Sequence, residues 1–177
     1  QLEKLISFSY TYTSPSASTY SNENTQAGFA TSSVLSSGNW YKIGITGSGI
    51  HRLDKTLLQA LGINTQQLDP RTLQLYGNGG GMLPQANSSP RPDDLVENAI
   101  WVAGEADGRF DDNDYALFYA QGPHTWQYTG GTAGFTHQHN IYSDTAYYFI
   151  RVGAQNGARV SSRGQAGSAS QTITSYN

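Results

Sequence analysis

An acidic stretch near the middle of the chain carries side chains of the type that binds hard cations. Five carboxylates fall within ten residues: Glu105, Asp107, Asp111, Asp112 and Asp114. Calcium prefers carboxylate oxygens, and an EF-hand loop spaces them around an invariant glycine. Aligning Gly108 with that glycine places Glu105, Asp107, Asp111 and Asp114 at ligand positions three, five, nine and twelve. These four residues are therefore a candidate calcium site.

Two departures from the calcium loop support a different interpretation of the same stretch. Position one falls on Ala103, which has no ligand atom, and position twelve carries an Asp in place of the longer bidentate Glu. The flanking runs have the character of strands, whereas an EF-hand loop lies between helices. The alternative is a tight turn in which Asp and Asn side chains hydrogen-bond their own backbone. Both interpretations remain open at this point.

Histidines are the second group with ligand chemistry. His137 and His139 are two residues apart, so on a strand they share a face, and His124 is able in principle to join them as a metal ligand. Nothing else in the sequence supports zinc, and two polar residues on a solvent-facing strand are the favoured interpretation. A Ser-His-Asp triad has no support, because the sequence lacks a Gly-x-Ser-x-Gly elbow.

A glycine-rich run and a set of aromatic residues complete the candidate sites. Residues 77–81 are typical of a phosphate cradle only if a Lys-Ser/Thr pair follows, and Met82-Leu83-Pro84 follows instead. The favoured interpretation is that these glycines let another backbone segment pass close to the run.

Exposed aromatic side chains are able to stack on sugar rings, which makes a carbohydrate-binding module the alternative function. The aromatic residues are Trp126, Tyr128, Tyr142, Tyr147 and Tyr148. Tyr and Trp also fill ordinary half-buried sheet surfaces.

Composition excludes several classes of protein. The chain has 177 residues, enough for one substantial core, and a single domain over 1–177 is predicted. A net charge of −3 with ten scattered basic residues argues against a nucleic-acid partner. No run is long and apolar enough to cross a bilayer. The absence of cysteine excludes disulfides, cysteine-ligated zinc and a thiol nucleophile within these residues.

Alternating apolar residues predict many short strands, with one helix over 54–61. The helix would begin at Asp54 as N-cap and end at Gly62. Gly47-Ser48-Gly49 predicts a hairpin that returns Ile50–Leu53 beside Trp40–Ile45. Further strands are predicted at 2–12, 73–76, 98–103, 115–120, 126–128, 135–139 and 145–152, with a long loop and one edge strand over 14–37. These elements predict an all-β sandwich or barrel-like domain.

Several stretches together resemble the region that precedes the peptidase domain in PorU-type proteins. They are WYKIGITGSGIHRLD from Trp40, LYGNGGGMLPQAN from Leu75, VENAIWVAGEADGRFDDNDYALFYAQGPHTWQY from Val96, HQHNIYSDTAYYFI from His137 and the closing ITSYN. The resemblance covers residues 38–177, whereas 1–37 match only in general character as a leading strand and loop. The final residues still alternate like a strand, so the chain is interpreted as a fragment of a longer protein.

The resemblance implies a function that these residues do not show by themselves. PorU-type proteins are gingipain-family cysteine peptidases that act as the sortase of the type IX secretion system. A Cys-His pair in the downstream peptidase domain removes the C-terminal signal of cargo proteins and anchors them to lipopolysaccharide. The present chain lacks that pair, so the resemblance implies a non-catalytic domain that serves packing, docking or active-site shielding. It also implies an exported protein on the outer membrane of a Bacteroidetes-type bacterium, with an outer-membrane barrel and other secretion components as partners. No cofactor is required, apart from the calcium considered above.

Overall fold

Short β-strands with alternating buried and exposed residues make up most of the secondary structure. The computed structural model describes residues 30–86, 88–131 and 134–162. The strands in these ranges are β1 (Trp40–Ile45), β2 (Gly49–Asp54), β3 (Leu73–Tyr76), β4 (Glu97–Asn98), β5 (Trp101–Ala103), β6 (Tyr115–Ala120), β7 (Thr125–Gly130), β8 (Gly134–Gln138) and β9 (Ala146–Val152). One helix, α1 (Lys55–Ala60), and three 3-10 turns, Val34–Ser36, Pro70–Thr72 and Glu105–Asp107, join them.

The strands form three antiparallel sheets. A four-stranded sheet has the order β1-β9-β3-β4, a three-stranded sheet has the order β2-β6-β5, and β7 pairs with β8 alone. The prediction of an all-β fold with one short helix is confirmed. β9, which contains the apolar run at residues 146–150, lies between β1 and β3.

The two larger sheets bury their inner faces in one shared core, which is the arrangement of a β-sandwich. Leu75, Tyr148 and Ile150 of the four-stranded sheet and Leu53 and Phe118 of the other are each at most 2% exposed. The rings of Phe118 and Tyr148 meet across the core with centroids 5.8 Å apart. Each fully buried side chain of this size contributes about 1.5–3 kcal/mol, so this core is the main source of stability.

Helix α1 has the caps that its sequence predicts. The Asp54 side chain accepts a hydrogen bond from the Leu57 amide at 3.0 Å, as an N-cap does. At the other end Gly62, with a φ of +91°, follows the C-cap Leu61. The amides of Gly62 and Ile63 donate to the carbonyls of Gln59 and Leu58, which is a Schellman motif. Leu58 is buried, so the short helix closes one side of the core.

The predicted hairpin between β1 and β2 is wrong. β1 pairs with β9, whereas β2 pairs with β6 in the other sheet. A hairpin would place β1 and β2 in the same sheet, with both apolar faces on one side of the core. Because the chain instead crosses from one sheet to the other between them, the two strands cover the core from opposite sides. The link between them is held by the Gly122 amide, which donates to Ser48 Oγ at 2.9 Å.

The predicted strand at 98–103 divides between the two sheets. β4 pairs with β3 in the four-stranded sheet, and β5 pairs with β6 in the three-stranded sheet. Ala99 and Ile100 connect them, and Ile100 is fully buried. The same residue forms a parallel bridge with Arg159.

The glycine-rich run after β3 serves close packing, as the favoured interpretation predicts. A Cβ at Gly80 would fall 2.1 Å from the Gly122 carbonyl oxygen, and one at Gly77 would fall 2.4 Å from the Tyr148 ring. Only glycine lets these backbones and this ring approach so closely. The run is therefore explained by the crossing of chain segments at this end of the sandwich.

Some predictions fall partly or wholly outside the described residues. The strand at 2–12 and the closing ITSYN lie there, as does most of the loop at 14–37, whose described part contains the 3-10 turn Val34–Ser36. Residues 29–161 form one compact unit. A single domain over 1–177 stays a prediction. Among the described residues, no helix has the length and apolar character needed to span a membrane.

Candidate functional site

The acidic stretch forms the connection between β5 and β6, as predicted. It opens with the 3-10 turn Glu105–Asp107, which has Gly104 before it and Gly108 after it in the left-handed conformation, with φ of +84° and +75°. Left-handed backbone favours glycine at both positions. A Cβ at Gly104 would also fall 1.7 Å from Asp114 Oδ1, so the loop closes on this carboxylate.

Four of the five carboxylates are engaged by groups of the chain itself. Asp107 Oδ1 accepts from the Arg109 amide at 3.0 Å, and Asp114 Oδ2 accepts from the Asp111 amide at 2.8 Å. Glu105 is paired with Arg159 at 2.7 Å, and Asp112 with Lys55 at 2.5 Å. The hydrogen bond from Lys55 holds the pKa of Asp112 below its usual value. Asp107 and Asp114 therefore hydrogen-bond backbone amides of their own loop, as the alternative interpretation of a tight turn predicts.

The four predicted calcium ligands do not form a cluster in the structure. Among the described residues, the group in which three residues offer ligand atoms within 4.8 Å of one another lies elsewhere. Calcium at Glu105, Asp107, Asp111 and Asp114 stays a prediction, and calorimetric titration with calcium tests it. Binding should produce heat with the wild type and less with Asp107→Ala, whereas an absence of heat in both proteins would remove the prediction.

Arg159 connects the acidic stretch to the four-stranded sheet. Its Nε donates to Glu105 Oε2 at 2.7 Å. Its Nη2 donates to the carbonyls of Pro70 and Arg71 at 2.7 and 2.9 Å, and its Nη1 donates to that of Leu73 at 3.2 Å. Nη1 also donates to the carbonyl of Ala158 at 3.2 Å. One guanidinium thus satisfies four backbone acceptors and a carboxylate, which uses the fixed fork geometry of arginine.

The β7–β8 hairpin carries six rings on one face, here named the aromatic ladder: His124, Trp126, Tyr128, Phe135, His137 and His139. Trp126 lies opposite His137 with ring centroids 4.6 Å apart, and Tyr128 lies opposite Phe135 at 5.2 Å. At the base, His124 stacks on His139 with centroids 4.1 Å apart. Trp126, Tyr128 and Phe135 are 64–72% exposed, so this face of the hairpin is open to solvent.

The base of the aromatic ladder is organised by Asn140. Its amide donates to His124 Nδ1 at 3.0 Å, and its buried side chain accepts from the amides of Tyr142 and Ser143. This turn brings Asp144 to His124, with Nε2 and Oδ1 3.6 Å apart. The structure therefore gathers His124, His139 and Asp144 into one group of ligand atoms. The sequence favoured His137 and His139 as two polar residues on a solvent-facing strand, and His137 is not in the group.

A second exposed surface covers the outer side of the three-stranded sheet. It is here named the outer sheet face and consists of Ile50, Arg52, Trp101, Tyr115, Leu117 and Tyr119. The register places Ile50 beside Tyr119 and Trp101 beside Leu117. Ile50, Tyr119 and Trp101 are 67%, 61% and 46% exposed. The Arg52 guanidinium lies 4.2 Å from the Tyr115 ring centroid, so the cation also covers an aromatic surface.

The five aromatic residues proposed as a sugar-stacking surface do not lie together. Trp126 and Tyr128 belong to the aromatic ladder, whereas Tyr147 lies on the outer side of the four-stranded sheet. There Lys42 Nζ lies 3.6 Å from the centroid of the Tyr147 ring. Tyr148 is in the core and is unable to join any surface; burial raises its pKa. Sequence reasoning missed Phe135 and the outer sheet face, because both depend on strand pairing.

No protein-family model matches the chain. No curated protein matches it either. Among solved structures, the chain is similar to the crystal structure of dimeric latent PorU from Porphyromonas gingivalis, with 32% sequence identity and a TM-score of 0.57. The match covers 80% of this chain and 12% of that PorU chain. Sequence motifs and fold therefore agree, and the chain carries a PorU-like region.

Proposed function

We propose that this region is a non-catalytic domain of a type IX secretion sortase, which docks on the peptidase domain of the same protein and shields its active site. The similarity to a PorU described as latent supports a role in restraint of the enzyme. The region corresponds to 12% of that chain, so in a protein of this kind it lies beside much more polypeptide. Without cysteine, it supplies no thiol for the cleavage itself.

The observation that carries the proposal is the outer sheet face. Ile50, Trp101 and Tyr119 expose apolar surface from three adjacent strands, and Arg52 is the cation among them. Soluble monomers rarely leave a contiguous apolar patch of several strands uncovered unless it meets a partner. Trp, Tyr and Arg are also the residues that most often dominate the energy of an interface. A partner with an apolar surface and an acidic group near Arg52 fits this face.

The wider setting follows from the same proposal. A type IX sortase is exported to the cell surface of a Bacteroidetes-type bacterium, where it meets an outer-membrane barrel and other secretion components. It removes the C-terminal signal of cargo proteins and joins them to lipopolysaccharide. The domain described here contributes to these steps by controlling access to the peptidase domain.

The test uses the complete protein expressed from its gene, with the double variant Ile50→Ser/Tyr119→Ser. Both side chains are exposed, so the fold should persist while docking weakens. We expect cleavage of a cargo substrate to rise severalfold and the linker to the peptidase domain to become more sensitive to limited proteolysis. The matched control is Leu83→Ser, which removes an equally exposed apolar side chain elsewhere and should change neither readout. Unchanged cleavage and proteolysis in the double variant would refute the proposed shielding.

A carbohydrate-binding function is the second candidate, and the aromatic ladder favours it. Trp126, Tyr128 and Phe135 are exposed side by side on one face, which is a surface suited to stacking against sugar rings. A glycan array should then show specific binding that Trp126→Ala abolishes and Tyr147→Ala, on another sheet, leaves intact. An array without specific binding by the wild type would exclude this candidate.

A further inference from the structure

The base of the aromatic ladder has the donor set of a transition-metal site. His124, His139 and Asp144 each offer one ligand atom, and these atoms lie within 4.8 Å of one another. His124 Nε2 and Asp144 Oδ1 are already 3.6 Å apart. Neighbouring ligand atoms in a tetrahedral zinc site with bonds of about 2.1 Å are separated by about 3.4 Å. His139 is exposed, which leaves room for its ring to turn toward the same point.

We propose that His124, His139 and Asp144 bind a divalent transition-metal ion, with one ion per chain. Two imidazoles and one carboxylate suit zinc and its neighbours in the first transition row, whereas calcium and magnesium prefer oxygen ligands alone. The site is distinct from the acidic stretch, which contains no histidine. It also lies apart from the outer sheet face, so it is independent of the proposed docking function.

The hydrogen bond from Asn140 gives the site a specific signature. Because the Asn140 amide donates to His124 Nδ1, the neutral ring carries its proton on Nε2, the atom that faces Asp144. A metal ion at Nε2 requires that lone pair. Binding therefore moves the proton to Nδ1 and separates this nitrogen from the Asn140 amide. Metal-bound histidines usually donate their second N–H to an acceptor, so this site should bind more weakly than one with such a partner.

The test is a titration of the ¹⁵N-labelled 177-residue chain with zinc chloride, followed by NMR. We expect saturation at one equivalent, conversion of the His124 ring from the Nε2–H to the Nδ1–H tautomer, and faster solvent exchange of the Asn140 amide. Asp144→Asn and His139→Ala should each weaken binding at least about tenfold. Both residues are exposed, so these variants should keep the fold, which the spectra of the zinc-free proteins will show.

His51→Gln is the matched control, because His51 lies on β2 and the other three histidines of the chain belong to the aromatic ladder. Its variant should bind zinc like the wild type. The proposal is overturned if zinc leaves the His124 ring signals unchanged, if either Asp144→Asn or His139→Ala binds as tightly as the wild type, or if binding requires several ions per chain.

Discussion

The acidic stretch and the aromatic ladder are both rich in side chains able to bind ligands, but the chain uses them in opposite ways. In the acidic stretch, Glu105 and Asp112 are paired with Arg159 and Lys55, and Asp114 is buried against the backbone. In the ladder, three of the rings are more than 60% exposed. The density of functional groups in a sequence therefore does not measure their availability. Two carboxylates of the acidic stretch are paired with cations from other elements, whereas three rings of the aromatic ladder are exposed.

Among changes to the acidic stretch and its partners, Gly104→Ala should have the largest effect, and it tests whether this stretch is structural. The new Cβ would overlap Asp114 Oδ1 and would require left-handed backbone at an alanine. We expect the free energy of unfolding to fall by about 3 kcal/mol or more. Gly131→Ala is the control, because Gly131 is also left-handed but has open space around it, and it should cost only about 1 kcal/mol. Equal losses in urea denaturation would contradict the closing of the loop on Asp114.

Arg159→Ala should have the next largest effect. It removes the partner of Glu105 and the donor to four backbone carbonyls, in a side chain that is 22% exposed. Because the site is partly screened by solvent, we expect a loss of about 2–3 kcal/mol rather than the full cost of breaking a buried pair. Thermal or urea unfolding measures it. Arg109→Ala, an exposed arginine of the same stretch, should change stability by less than about 0.5 kcal/mol.

Trp126→Ala should have a small effect on stability, although it removes the largest side chain of the ladder. The indole is 68% exposed and contacts mainly His137, so the expected change is at most about 1 kcal/mol. Phe118→Ala removes a buried ring and should cost about 3–5 kcal/mol. A comparable loss in both variants would mean that the ladder is part of the core, and the contrast between the two regions would fail.

The smallest effect concerns the response to pH of two carboxyl groups, Asp112 of the acidic stretch and Asp69 before β3. Hydrogen bonds from Lys55 to Asp112 and from Arg71 to Asp69 lower the pKa of each carboxyl below 3.8. A lowered pKa in the folded state adds stability that is complete above the unfolded value and is lost as the pH falls through the folded value. Urea denaturation should therefore show decreasing stability below about pH 4, and Asp112→Asn should make this decrease shallower. An unchanged slope in the variant would exclude the ion pair as a contributor.

The sequence predicted the positions of the strands and the helix better than it predicted which strands pair with each other. Alternation located β1, β3, β6 and β9, and the Asp54 and Gly62 caps located α1, because these signals are local. The pairing of β1 with β9 depends on which layer covers the core, and no residue in the turn between β1 and β2 encodes that choice.

The candidate sites show the same limit. The acidic stretch was recognised because its carboxylates are close together in the sequence, yet its partner Arg159 is remote in sequence. His124, His139 and Asp144 meet because a hairpin and the Asn140 turn bring them together. Register and turn geometry create that cluster, and neither is visible in residue spacing.

The division of residues 97–103 between two sheets has a consequence for how the protein comes apart. Only Ala99 and Ile100 separate the strand that completes one layer from the strand that completes the other. Opening either layer must displace Ile100, which is fully buried, and so must disturb its neighbour at once. The two layers should therefore melt in a single cooperative transition, and amide protons on both should exchange through the same global event.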